Sequence, residues 1–177
     1  GETSRGCIYR CTFCYLTNPA TRGMVWRAIP AEKVIDRIRF LVEKYKLTGV
    51  WIRDDSFFVD INRVKKICEG IEDLDVKWHT SGTTIPEFNR ANHETISAIK
   101  RGGCHSLKFG AESGSDRILE MIEKPQRRED IVKANLRCKE YGIVPSFSFI
   151  IGFPGETYDE MMETVKLTQQ LRADNPS

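Results

Sequence analysis

Apolar positions along the chain follow two alternating periods, which divide it into helical stretches and short strands. An extended piece, Glu2–Arg5, comes first. After Pro30, Val34, Ile38, Leu41, Val42 and Tyr45 recur on one side of a helix, and proline suits a first helical turn. Gly49–Arg53 then reads as a strand, followed by a helix capped near Asp60. Val76–Thr80 is the next strand, with a loop and a helix from about Asn92 to Arg101 that Gly102-Gly103 ends. Ser106–Ala111 is a strand, and helical periodicity covers 115–123 and 128–141, closed by Gly142. The last strand, Val144–Ile151, leads through Gly152-Phe-Pro-Gly-Glu156 into a helix opened by a Thr157/Glu160 capping box. Strand and helix alternate five times, which predicts an α/β fold with a parallel sheet and right-handed crossovers.

Such sheets carry their chemistry at the carboxyl ends of the strands. A cysteine loop, Asp54-Asp55, Ser81-Gly82, Glu112-Ser113-Gly114 and Gly152–Gly155 all fall there. Strand alternation places Leu107, Phe109 and Ala111, with Phe147, Phe149 and Ile151, against the helices. Lys108, Glu112, Ser146 and Ser148, and in the second strand Trp51, Arg53 and Asp55, then face the other way and line a cavity.

Composition restricts the possibilities without choosing among them. The 177 residues suffice for one domain with a sizeable core, at 40% apolar and 29% charged. Net charge is +2 with both signs scattered, which argues against a nucleic-acid partner, and no apolar run approaches a membrane span. Six cysteines in a chain this large predict free thiols rather than disulfide staples, and with no signal peptide a reducing, cytoplasmic location. Cys68, Cys104 and Cys138 read as core packing.

The other three cysteines are Cys7, Cys11 and Cys14, spaced Cys-x3-Cys-x2-Cys. Three thiolates on one loop can hold three corners of a cubic iron–sulfur cluster and leave the fourth iron open to an outside ligand. Cys7-Ile-Tyr-Arg-Cys11-Thr-Phe-Cys14 resembles the signature of radical S-adenosylmethionine enzymes. Ser4–Cys7, Asp54–Phe57, Gly110–Ser115 and Ile151–Thr157 extend the likeness to the Elongator and methylthiotransferase branch, and within it to enzymes with an upstream cobalamin-binding domain.

The resemblance implies a partial (βα)6 barrel with about five βα units present. It implies a [4Fe-4S] cluster held by Cys7, Cys11 and Cys14, and S-adenosylmethionine chelating the open iron. Reductive cleavage would give a 5′-deoxyadenosyl radical that abstracts hydrogen from substrate. Phe13, Gly152 and Phe153 would then lie by the adenine, Asp54 and Asp55 by the methionine ammonium, and Glu112 and Ser113 by the ribose or methionine part. Relatives often carry an arginine shortly after the third strand; Thr80-Ser-Gly-Thr-Thr84 has none, and Arg53 and Arg90 are the candidate substitutes.

The same resemblance implies that 1–177 is a truncated radical core, with a sixth βα unit and any cobalamin domain outside it, and poorly active alone. A small-molecule substrate and a single-electron reductant of flavodoxin or ferredoxin type are the expected partners. Cobalamin-assisted methylation or rearrangement is the leading expectation, and RNA modification of methylthiotransferase type the alternative.

Other readings stay open on the residues. His79, His93 or His105 could complete a zinc site with the three cysteines, and Cys11-Thr-Phe-Cys14 could be a redox dithiol. Asp54-Asp55 could cap a turn, Glu112 could be a buried structural acid, and Gly152–Gly155 could be a plain turn.

Overall fold

The computed structural model describes residues 1–17 and 25–174. A parallel sheet runs in the order β3 (Gly49–Ile52), β4 (Lys77–Thr83), β5 (Cys104–Glu112) and β6 (Val144–Phe149). Strands that neighbour in sequence also neighbour in the sheet. With right-handed crossovers, that order places every connecting helix on one face and leaves the other face open. The result is part of a (βα) barrel, matching the fold expected from the sequence.

The N-terminal strand departs from expectation. β1 (Ser4–Arg5) pairs antiparallel with β2 (Arg27–Ala28) instead of joining the parallel ladder. It still lies along β3, because Arg53 N–H donates to the Gly1 carbonyl at 2.8 Å and Thr3 N–H to Asp54 Oδ1 at 2.6 Å. The helices are α1 (Ala31–Tyr45), α2 (Ile61–Gly70), α3 (Ile85–Arg90), α4 (His93–Arg101), α5 (Asp116–Met121), α6 (Arg128–Glu140) and α7 (Tyr158–Asp174). Asp60 caps α2 through Arg63 N–H at 3.0 Å, and Glu160 accepts from Thr157 N–H at 2.8 Å, so both expected caps form.

Two further differences have local causes. The segment after β4 forms the short α3 rather than a loop, with proline in its first turn where no amide donor is required. β6 stops at Phe149, because the ladder shifts register between Gly110 and Glu112 and Ile150 N–H turns to the Glu112 carbonyl at 2.8 Å. Ile151, expected against the helices, is therefore exposed.

The core lies between sheet and helices. Trp78, Phe57, Phe58, Phe88, Phe109 and Phe147 form a continuous chain of ring contacts with centroids 5.3 to 6.1 Å apart. Contacts of this kind contribute about 0.5–1.5 kcal/mol each beyond area burial. Cys68, Cys104 and Cys138 are buried free thiols in this layer, as expected, and burial raises the pKa of each. The strand alternation also holds: Ile52, Trp78, Thr80, Leu107, Phe109 and Ala111 are buried, while Trp51, Arg53, His79, Lys108 and Ser146 are exposed on the open face.

Candidate functional site

At the carboxyl ends of the strands the cysteine loop crosses the sheet. Gly6, at φ 88°, makes the turn out of β1 and donates its N–H to Asp55 Oδ2 at 2.8 Å. Cys14 N–H donates to the Cys11 carbonyl at 3.0 Å, and Thr12 N–H to the Ile122 carbonyl at 3.0 Å, which ties the loop to the end of α5. Tyr15 Oη donates to Asp55 Oδ1 at 2.9 Å, and this contact raises the tyrosine pKa.

Cys7, Cys11 and Cys14 all line one cavity of about 200 Å³. Cys11 is buried and the other two are half-buried. Burial raises the pKa of Cys7 and Cys11; neighbouring thiols add to the effect, and the Lys124 ammonium opposes it. Metal capture must therefore displace protons, since thiolates are the ligands.

Of the other residues expected at the site, Phe13, Asp55 and Glu112 line this cavity. Glu112 is 7% exposed, adopts φ 65°, and receives Lys124 Nζ at 2.9 Å. Left-handed backbone at a non-glycine residue costs of order 1 kcal/mol, and such positions concentrate at functional sites. Phe153 stands behind the rim with its ring 5.6 Å from that of Phe13, and Gly152 is at φ 93° with its N–H on the Glu156 carboxylate.

Asp54 and Ser113 are placed elsewhere. Asp54 accepts from Thr3 N–H, Thr3 Oγ1 and Ser4 Oγ, each at 2.6 Å, so its carboxylate is committed to holding β1. Ser113 is fully buried against α7, where its Oγ lies 3.3 Å from Thr164 Oγ1. Neither lines the cavity.

Lys124 and Gln126, absent from the residues expected at the site, line the cavity from the loop after α5. No periodicity marks them; the only cue was Pro125, which identifies a loop without placing it. Gln126 Nε2 donates to the Gly110 and Ala111 carbonyls at 3.1 and 3.0 Å. Its Oε1, with the hydroxyls of Thr83 and Thr84 beside the same cavity, is buried without a partner among the described residues. Arg53 and Arg90 do not reach the cavity.

Two glycines make room for this arrangement. A Cβ on Gly110 would come within 2.2 Å of Glu112 Oε1, and one on Gly82 within 2.1 Å of the Asp54 carbonyl oxygen. The second clash is with backbone, which cannot rotate aside. Gly82→Ala is expected to destabilise the fold by about 1–3 kcal/mol, read as a lower urea midpoint at unchanged slope.

The donor set suits an iron–sulfur cluster with a zwitterionic nucleoside beside it: three thiols, one cation, two carboxylates, unpaired oxygens and a rim phenylalanine. None of the three histidines lines the cavity, so the zinc reading loses its fourth ligand. Among the described residues no group of three or more His, Cys, Asp and Glu is gathered for a single ion. A cubic cluster holds its thiolates wider apart than one ion does.

Comparison with known proteins points the same way. The family model described as the Radical SAM superfamily matches residues 2–168. An uncharacterized methyltransferase of Pyrococcus horikoshii is 38% identical over 177 residues, covering 97% of this chain and 37% of the relative. A tRNA-2-methylthio-N(6)-dimethylallyladenosine synthase of Desulforamulus reducens is 30% identical over 183 residues, covering 96% and 38%. The fold matches that of OxsB, a cobalamin-dependent S-adenosylmethionine radical enzyme solved with aqua-cobalamin and S-adenosylmethionine, at TM-score 0.83 and 22% identity, covering 94% of this chain and 26% of that one. The chain thus spans under two-fifths of the length of these relatives.

Proposed function

The chain belongs to the radical SAM superfamily, and from that membership we propose that residues 1–177 are the cofactor-binding core of a longer radical enzyme. The observation that carries this is one cavity at the strand ends, shared by Cys7, Cys11, Cys14, Asp55, Glu112 and Lys124. A [4Fe-4S] cluster and S-adenosylmethionine bound there supply one-electron cleavage of a sulfonium carbon–sulfur bond, which is cofactor chemistry.

The protein's part is to hold and orient. Cys7, Cys11 and Cys14 ligate three irons. Asp55, with its carboxylate in the cavity wall, takes the methionine ammonium, while Asp54 positions the strand that leads to the cysteines. Lys124 is the cation for the methionine carboxylate, the role that sequence left to Arg53 or Arg90. Glu112 meets the ribose hydroxyls, with Ser113 fixing its backbone from behind. Phe13 and Phe153 flank the adenine, and Gly152 lets the backbone come close.

For the whole protein we favour cobalamin-assisted methyl transfer or rearrangement of a small molecule, with a flavodoxin- or ferredoxin-type donor. The fold shared with OxsB and the methyltransferase relative support that reading. RNA modification is the second reading, supported by the tRNA-modifying relative.

Anaerobic reconstitution with iron and sulfide tests the core proposal. The expected product is brown, with about four irons per chain, and its reduced paramagnetic signal changes when S-adenosylmethionine is added. A colourless protein holding one zinc would overturn it. Lys124→Gln is expected to keep its iron and bind S-adenosylmethionine roughly tenfold or more weakly, a loss of about 1.4 kcal/mol or more for one charge-assisted contact.

A further inference from the structure

The open face of the sheet carries a group of residues of which only Ser81 also lines the cofactor cavity. Ile52, Thr80 and Leu107 are register partners across β3, β4 and β5; the β4–β5 register shifts just beyond, so Ser81 and Gly82 together oppose Lys108, and Arg53 follows directly on the end of β3. Lys108 is itself in register with Ser146 of β6. Arg53, Ser81, Lys108 and Ser146 belong to the exposed side of the alternation. This stretch of one face thus presents two cations and two hydroxyls.

Neither cation is neutralised. Among the described residues no carboxylate pairs with Lys108 or Arg53; the Arg53 guanidinium lies 4.8 Å over the Trp51 ring, which stacks on His79 at 5.2 Å. On the helical side, by contrast, Lys65, Lys66, Arg39 and Arg101 each meet a carboxylate. The acids nearest along the strands are already engaged: Asp55 by Gly6 N–H and Tyr15 Oη, and Glu112 by Lys124. The level below carries Trp51, His79, Ser106 and Val144, with no acid. Ser106, Ser146 and Ser148 are the small neighbours of Lys108 on this face, while Glu112 and Lys124 lie over Gly110 on its cofactor side.

We propose that Lys108 and Arg53, with Ser81 and Ser146, form an anion subsite for the phosphate or phosphonate group of a small-molecule substrate. Their strands lie two spacings apart, about 10 Å, a gap that two long side chains close from either side around a tetrahedral dianion. A lone carboxylate would satisfy one cation and leave the other bare. This stretch lies one step below the strand ends that form the cofactor cavity, so a group anchored here would hold the rest of its molecule toward that cavity. The substrate role rests on the function proposed above; anion binding by itself does not.

Inorganic phosphate and methylphosphonate are the probes, titrated calorimetrically at low salt into the metal-free protein. Both are expected to bind, acetate at least about tenfold more weakly. Lys108→Gln and Arg53→Gln are each expected to weaken phosphate about tenfold or more, Lys108→Arg to retain it, and Lys139→Gln on α6 to leave it unchanged. Absence of phosphate binding, or binding indifferent to Lys108→Gln, overturns the subsite. Tighter binding of a single-stranded RNA oligonucleotide through Lys108 overturns the small-molecule assignment. Lys108→Gln is expected to take up iron and S-adenosylmethionine like the parent, so failure of the subsite and failure of the cofactor proposal read out separately.

Discussion

Cys11→Ala is expected to abolish cluster assembly: reconstituted iron should fall from about four per chain to below one, and S-adenosylmethionine cleavage should vanish with it. Cys11 is the most buried of the three thiols, at 8% exposure, and both Cys7 and Cys14 act on its titration. Two remaining thiols cannot close three corners of a cube. The loss is not an unfolding effect, because removing one buried sulfur from the metal-free chain costs only about 1 kcal/mol. Its urea midpoint should stay close to that of the metal-free parent, and a variant that kept four irons would refute the assignment of this ligand. Alkaline conditions should favour assembly of the parent, because the buried thiols hold their protons above the usual range.

The adjacent aspartates should separate cleanly. Asp54→Ala leaves three donors from Thr3 and Ser4 without an acceptor at a site 3% exposed. It also removes the negative charge that supports Arg63, whose pKa burial lowers and Asp54 raises. Arg63 holds the same strand through the Thr3 carbonyl at 2.9 Å. Stripping one partner from such a buried charged network costs about 3–5 kcal/mol. Denaturant unfolding should show that loss in full for Asp54→Ala. Asp55→Asn, on an exposed residue, should shift stability by less than about 1 kcal/mol and weaken S-adenosylmethionine about tenfold. The opposite pattern would transfer the ammonium role to Asp54.

Sequence reading reached the periodic parts of the molecule and the dense motif. Alternation placed Leu107, Phe109 and Lys108 on their proper sides, because a strand buried on one face must repeat every second residue. Helix caps at Asp60 and Thr157 were visible because capping is local chemistry. Asp54 and Asp55 could not be told apart from the sequence. They differ only in which side of the strand end they leave, and the partners of Asp54 lie some fifty positions away, at Thr3 and Ser4. The role of Lys124 is illegible in the sequence for the same reason: its contact with Glu112 is set by where α5 ends. The pairing of β1 with β2 joins residues more than twenty apart, and two-residue strands are too short to show a period.

The left-handed backbone at Glu112 has a practical consequence for anyone engineering this chain. Glycine there would relieve backbone strain of order 1 kcal/mol, and backbone geometry taken alone would recommend it for thermostability. It would also delete the carboxylate that anchors Lys124 over Gly110 and release the cation from its post. Stripping the buried ammonium of its partner costs about 3–5 kcal/mol, more than the strain relieved, so the unfavourable backbone conformation is held in place by the charge it presents.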